Sequence, residues 1–438
     1  MEGRMFKPLA TNILIFLLLF AACVMAADQE SRYADFLSSL ENYDKKDFKD
    51  ILVAEIEHYL RVHPAAPGVN EVHFKMATVY TDTGDDINSF YSNLEILFLY
   101  PGTRVDQLAQ DRVRTLLTRD RKFKEISSLS GVLTNPATMG FSPEDAYYRF
   151  LKEMVDLNFS RTYAQLANSC DRFLTIFPNS VKADEVRMWR GDALKDNKDY
   201  REALSEYMKV TYLHEQSVYV TASKLRMAEV LTEELGMHDN AVTTLEEFLL
   251  EYPQDPQASQ AQYRIGGILE KEKKRYLEAI NAYSAVAQKY PASVEAVPGL
   301  FDAARLYEER FKEYDQAIRV YTEVVRDFPQ DEKAPYALAE SARIYEKRVK
   351  DPFNAVNAYV KVYNSYPNSS IAPDCLFAAA DISENDLKNN EKAAMYYDFL
   401  VQKYPTSKLA KDARKRLEQL QKELAEQIPS EVANQNQN

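Results

Sequence analysis

Apolar and polar positions along this chain recur with a period of 38 residues. Alanine stands at Ala203, Ala241, Ala279, Ala317, Ala355 and Ala393. Four residues on come Tyr207, Leu245, Tyr283, Tyr321, Tyr359 and Tyr397, and three further on Val210, Phe248, Val286, Val324, Val362 and Leu400. Offsets of four and three place the three slots on one face of a helix, so they are expected to pack inward. The last five copies close on an aromatic-proline pair, as at Tyr290-Pro291 and Tyr404-Pro405, and proline stops a helix. A fixed period of this size, with one apolar helix face per copy, describes stacked helix pairs.

The first helix often opens near a proline (Pro298, Pro335, Pro373), where the missing N–H is not needed. Asp255 and Asp351, each before a proline, read as N-caps. A small residue, Gly191 or Gly267, twelve residues before the second-helix alanine, marks where the paired helices approach closely. The expected fold is all-α: an α-solenoid forming a right-handed superhelix of about ten helix pairs, closed by a capping helix whose apolar stripe is Leu409, Ala413, Leu417, Leu420 and Leu424.

Towards the N-terminus the pattern weakens but persists. Helices are expected around Phe36–Leu40 and over 50–60, pairs over 73–101 and 104–128, and another pair over 144–178. Residues 129–143, rich in Ser, Gly, Thr, Asn and Pro, lose the helical period and read as a hinge or irregular loop. One copy breaks the phrase, with His214-Glu215 where Tyr-Pro is expected. The organisation is therefore a leader at 1–26, degenerate repeats over 27–138, a regular array with its cap over 144–427, and a disordered polar tail over 428–438.

The leader rests on Arg4 and Lys7, an apolar run from Ile13 to Ala22, and small residues before a polar stretch. That is the layout of a signal peptide, and the run is too short to span a bilayer. Cleavage after Ala26 and lipidation at Cys23 both fit; Phe20-Ala21-Ala22-Cys23 resembles a bacterial lipobox, though Phe20 and Val24 depart from it. An unprocessed anchor is a third route. The net charge of −13 lacks the basic footprint of a nucleic-acid binder. Cys170 and Cys375 are several repeats apart, too far for a disulfide, and read as buried thiols.

The stretch Trp189-Arg190-Gly191-Asp192-Ala193-Leu194, followed by Asp199-Tyr200-Arg201-Glu202-Ala203, resembles the tetratricopeptide repeat. The resemblance covers 183–405 strongly and 31–178 weakly. It departs from the family's usual 34-residue period, the extra residues lying between units, as at 366–373. This longer form is similar to envelope proteins of Gram-negative bacteria, of the outer-membrane assembly lipoprotein and Tol–Pal coordinator kinds. The resemblance implies that first helices line a groove that binds segments of other proteins. It does not extend to the family's carboxylate clamp, which needs Lys and Asn where this chain offers Met188, Trp189 and Asp192, then Arg226, Met227 and Val230, then Arg264, Ile265 and Ile268.

Candidate chemistry changes little. The five histidines show no metal-ligand spacing and read as surface or turn residues, and no nucleophile elbow, P-loop or dinucleotide fingerprint occurs. No cofactor or metal is expected, and no enzyme. The groove candidates are Trp189, Arg226 and Arg264; a basic surface is expected at Lys411, Arg414 and Lys415 of the capping helix. The expected function is an exported, non-enzymatic scaffold of the periplasm or the periplasmic face of the outer membrane. It would bind protein partners through its groove and act in assembly or organisation of envelope complexes. The alternative is a module binding peptidoglycan or exported polysaccharide. Nucleic acid is not an expected partner, and membrane association would follow only from lipidation at Cys23; oligomeric state is open.

Overall fold

The computed structural model describes residues 32–33, 35–40, 45–119, 121–127 and 140–435. The leader, Cys23 and most of the 129–143 stretch lie outside the described residues. Among the described residues every regular element is helical, and no helix is long and apolar enough to cross a membrane. The chain forms two compact units divided between Leu235 and Gly236.

The first unit contains α1 (Lys45–Val62), α2 (Val69–Asp82), α3 (Asp86–Leu99), α4 (Arg104–Arg119), α5 (Pro143–Leu157), α6 (Tyr163–Ile176), α7 (Ala183–Asp196), α8 (Tyr200–Leu213) and α9 (Val220–Glu229). The helix pair expected over 104–128 is corrected: only α4 is a full helix. A 3-10 turn at Arg121–Phe123 follows it and drives Phe123 into the core, 4.7 Å from Phe90 and 6.0 Å from Phe159 between ring centres. Burying that one ring in a single turn does the work of a second helix. The end of the irregular stretch starts α5 cleanly: Ser142 accepts from the Asp145 N–H at 3.0 Å, with Pro143 in the first turn.

The second unit contains α10 (His238–Glu251), α11 (Ala258–Lys271), α12 (Tyr276–Lys289), α13 (Ala296–Leu306), α14 (Tyr314–Asp327), α15 (Ala334–Ile344), α16 (Pro352–Ser365), α17 (Ala372–Asn385), α18 (Asn390–Lys403) and α19 (Ala410–Gln435). Each helix packs on the next, from α11 against α12 to α18 against α19. The recurring slots form the core: Ala279, Ala317 and Ala355, with Val286, Val324 and Val362, are fully buried, and their tyrosines nearly so.

The small-residue slot is one position away from the expected one. A Cβ on Gly266 would sit 2.5 Å from the Tyr283 ring, whereas Gly267 meets nothing closer than 3.9 Å. The expectation transferred the spacing of the Gly191 unit, where the same glycine-to-tyrosine contact occurs; later first helices carry one more residue before their turn. That residue is absorbed by widening the last turn. First helices end in π turns at Val230–Glu234, Tyr307–Phe311 and Tyr345–Val349, and α11 and α17 make the equivalent bonds, Lys273 N–H to Ile268 and Leu387 N–H to Ile382.

Each turn then reverses through a left-handed residue. Lys198, Lys274, Lys312, Lys350 and Lys388 have φ between 52° and 73°, and Gly236 fills the same slot at 62°. A cation there lies at a helix C-terminus, where the dipole favours it. Asp351 caps α16 as expected, accepting from Asn354 N–H at 3.0 Å. Asp255 does not cap α11, which begins at Ala258; it accepts from Gln257 N–H at 2.8 Å within the preceding turn, an aspartate's other local habit. α19 buries Ala413, Leu417 and Leu420 and runs on to Gln435. The tail expected from 428 is helical through 435, because a polar composition limits what a helix can bury and not whether its backbone bonds form.

Candidate functional site

The core tyrosines are not wholly apolar mortar. Burying a tyrosine ring obliges its hydroxyl to find a partner, and here the partner is an acid on the first helix of the same pair. Tyr283 Oη donates to Glu270 at 3.0 Å, Tyr359 to Glu346 at 3.0 Å, Tyr397 to Glu384 at 3.4 Å and, in the first unit, Tyr207 to Asp192 at 2.7 Å. Glu270, Glu308, Glu346 and Glu384 repeat every 38 residues, and Glu308 and Glu346 sit within the π turns. The widened turn therefore presents the carboxylate.

Most of these acids also bind the next first helix. Arg305 Nη2 donates to Glu270 at 2.9 Å, and Arg343 donates to Glu308 at 3.1 and 2.5 Å. Arg348 adds a third bond to Glu308 at 3.0 Å. Arg416 lies 3.5 Å from Glu384, and Arg226 lies 3.2 Å from Asp192 in the first unit. Burial alone would raise the Glu308 carboxyl, but its bonds from Arg343 and Arg348 outweigh that and hold it below the usual range. The result is a ladder of tyrosine, acid and arginine, complete at Asp192, Glu270 and Glu384, with Glu308 supplying the arginine link and Glu346 the tyrosine link.

Above this ladder the second unit forms a groove of about 1240 Å³. Tyr263, Phe301 and Tyr336 from α11, α13 and α15 supply rings, with Pro298 and Pro335 beside them. Arg305 and Arg343 lie on the floor, and the turns 329–333 and 365–370 form the rim. Tyr263 Oη donates to Asp302 at 2.6 Å, Phe301 meets Tyr321 edge-on at 5.2 Å, and Tyr336, 41% exposed, lies 3.1 Å from Ser370 Oγ. Among the described residues no cluster of three or more His, Cys, Asp or Glu is placed to hold a metal ion.

The groove candidates from sequence fall elsewhere. Trp189 is half-buried in the first unit, stacked on Tyr148 at 5.1 Å between α5 and α7. Arg226 is engaged by Asp192 and Glu229. Arg264 is half-buried on α11, and none of the three lines the groove. Met188, Met227, Val230, Ile265 and Ile268 are core. Lys411, Arg414 and Lys415 are exposed on α19, and Cys170 and Cys375 are free, buried thiols.

His73 corrects the expectation that the histidines are surface or turn residues. It is 1% exposed, with Nε2 3.3 Å from Glu95, which is itself 1% exposed and 2.9 Å from Arg172. Burial would raise the Glu95 carboxyl, but the Arg172 guanidinium foremost, with His73, holds it at about 2. A polar residue escapes the apolar pattern, so a buried ion cluster reads as surface until the helices are packed.

Fold and groove define a helix-pair repeat protein. Part of the chain matches the model of the tetratricopeptide repeat, at residues 222–255, 260–293 and 299–331. The residues skipped between matches, 256–259 and 294–298, cover the junctions between pairs and the first turns of α11 and α13. No curated protein matches the chain. Among solved structures, a tetratricopeptide repeat protein of Parabacteroides merdae is 16% identical, covering 63% of this chain and 98% of its own at a TM-score of 0.34. The C-terminal part of a repeat protein of Cytophaga hutchinsonii is 15% identical over 61% and 98%, at 0.38. Yeast Tom70 is 12% identical over 97% and 99%, at 0.29.

Proposed function

We propose that the chain is a non-enzymatic scaffold whose second unit holds an extended segment of a partner protein. The groove carries this reading. Its 1240 Å³ exceeds the ~300–1,000 Å³ of small-molecule sites, and it runs across three successive first helices rather than closing around one point. Its floor is held by the ladder, so an incoming segment meets a pre-organised surface and loses less free energy to ordering. The basic, apolar and small-residue order of residues 4–26 supports export, and we place the scaffold in the periplasm or at the outer membrane, in assembly or organisation of envelope complexes.

The test is a photo-crosslinking residue at Tyr336, with Leu277 as control. Leu277 opens the second helix α12, is 57% exposed and lies outside the groove lining. Discrete adducts from position 336 and none from 277 are expected in cells expressing the chain. Adducts from both positions, or from neither, would contradict the reading. A second reading, polysaccharide binding, is favoured by the exposed Tyr336 ring beside carboxylates and by the basic face of α19. It predicts co-sedimentation with purified cell wall that is lost on charge reversal of Lys411, Arg414 and Lys415.

A further inference from the structure

The geometry points to a cationic occupant: an extended segment of a partner protein with Lys or Arg alternating with apolar side chains. This rests on the groove being a protein-binding site and adds the chemistry of what it binds. Six carboxylates line the groove against three cations. Two of those cations are already committed. Arg305 holds Glu270 and Asp302, and Arg343 holds Glu308 and Glu340 through Nε, Nη1 and Nη2. The third, Lys333, leans over the Phe301 ring.

The negative surplus is therefore presented outward. Glu309 is about half exposed, and its nearest cation, Arg305 Nη1 at 3.6 Å, is the guanidinium already shared by two other acids. Glu332 is exposed on the rim and has no ion pair among the described residues. One period beyond Arg305 and Arg343 the same slot holds Asp381, so the arginine row ends and the acidic face continues onto α17. An acidic segment would face like charge at every repeat. A basic one gains complementary charge from Glu309, Glu332 and Glu340 and a ring face for a cation at Tyr336.

Spacing sharpens the expectation. Packed neighbouring helices lie roughly 8–10 Å apart, consecutive first helices are at least that far apart, and an extended chain advances ~3.3 Å per residue. One cation per repeat then means basic residues three or more apart, one facing Asp302 and Glu309, the next facing Glu332 and Glu340.

The experiment is display selection of random dodecapeptides on the full chain, counter-selected on Phe301→Ala/Tyr336→Ala. The peptides retained only by the unaltered chain should be enriched in Lys and Arg, spaced three or more apart, and depleted in Asp and Glu. A synthetic representative should bind Glu309→Gln/Glu332→Gln roughly tenfold more weakly, as loss of two part-exposed charge contacts implies, and should weaken with salt. Both glutamates are surface residues, so that variant folds whether or not the aromatic one does. Groove-dependent peptides of neutral or acidic composition would overturn the cationic occupant and leave the protein-binding reading standing. Absence of any groove-dependent peptide would overturn both. Self-association abolished by charge reversal on α19 would replace the partner with a second copy of this chain.

Discussion

At the scale of single residues, contact distance decides what composition leaves open. Gly266 and Gly267 are adjacent and chemically identical, yet only the first lies under the Tyr283 ring. Gly266→Ala should cost about 1–3 kcal/mol, as overpacking does. Gly267→Ala should be neutral or stabilising by up to ~1 kcal/mol, because it removes a helical glycine. Chemical denaturation of the two variants checks both. The buried cluster in the first unit makes an opposite kind of prediction. Glu95→Gln leaves the Arg172 guanidinium buried without its counter-charge and should cost about 3–5 kcal/mol. Glu95 is held at about 2, below its ordinary 4.5, so the unfolded chain binds its proton first. The stability it contributes is present above pH 4.5 and is lost as pH falls towards 2. Thermal melts of the unaltered chain should fall steeply through that window, and those of Glu95→Gln should fall less.

At the scale of elements, the apolar slots were legible because repetition at one period, with offsets of four and three, admits only a helix face. The turn chemistry was not. A fixed glycine-to-alanine spacing hides the residue that the π turns absorb, and it misplaced the close contact by one position. The glutamate ladder carries the same 38-residue period, but it lies outside the apolar pattern; sliding the acids as well as the alanines would have found Glu270, Glu308, Glu346 and Glu384. His73 and Glu95 carry no such signal, because nothing local distinguishes a buried polar residue from an exposed one. The left-handed lysines test the turn itself. Lys312, at φ 59°, tolerates that conformation at a cost that glycine avoids. Glycine's greater freedom in the unfolded chain offsets much of the gain, so Lys312→Gly should change stability by no more than ~0.5 kcal/mol. Lys312→Val, β-branched, should lose about 1–2 kcal/mol. Equal effects of the two substitutions would contradict the turn geometry.

At the scale of the whole molecule, the period that builds the fold also explains where specificity lies. Positions that recur from copy to copy are spent on packing and, at Glu270, Glu308, Glu346 and Glu384, on the ladder. Positions that differ between copies, such as Phe301 against Ala339 or Arg343 against Asp381, are what a partner can read. The sequence candidates Trp189, Arg226 and Arg264 followed that logic and lie on the first helices α7, α9 and α11, but sequence cannot tell which first-helix positions are already taken by neighbouring repeats. The leader belongs to this scale too. Intact-mass measurement of the mature chain should find either an N-terminus at Ala27 or a lipidated Cys23; retention of residues 1–22 would contradict export by either route.

The central claim is that the groove between Tyr263 and Ser370 is the binding face. The most direct measurement is the affinity of a groove-selected peptide for the unaltered chain, for Tyr336→Ala, and for Phe353→Ala. Phe353 is an exposed ring at the start of the second helix α16, outside the groove lining. Tyr336→Ala should weaken binding by roughly tenfold or more, the ~1–2 kcal/mol expected of an aromatic contact at the centre of an interface, while Phe353→Ala leaves it unchanged. Equal loss in the two variants, or loss only with Phe353→Ala, would contradict the account.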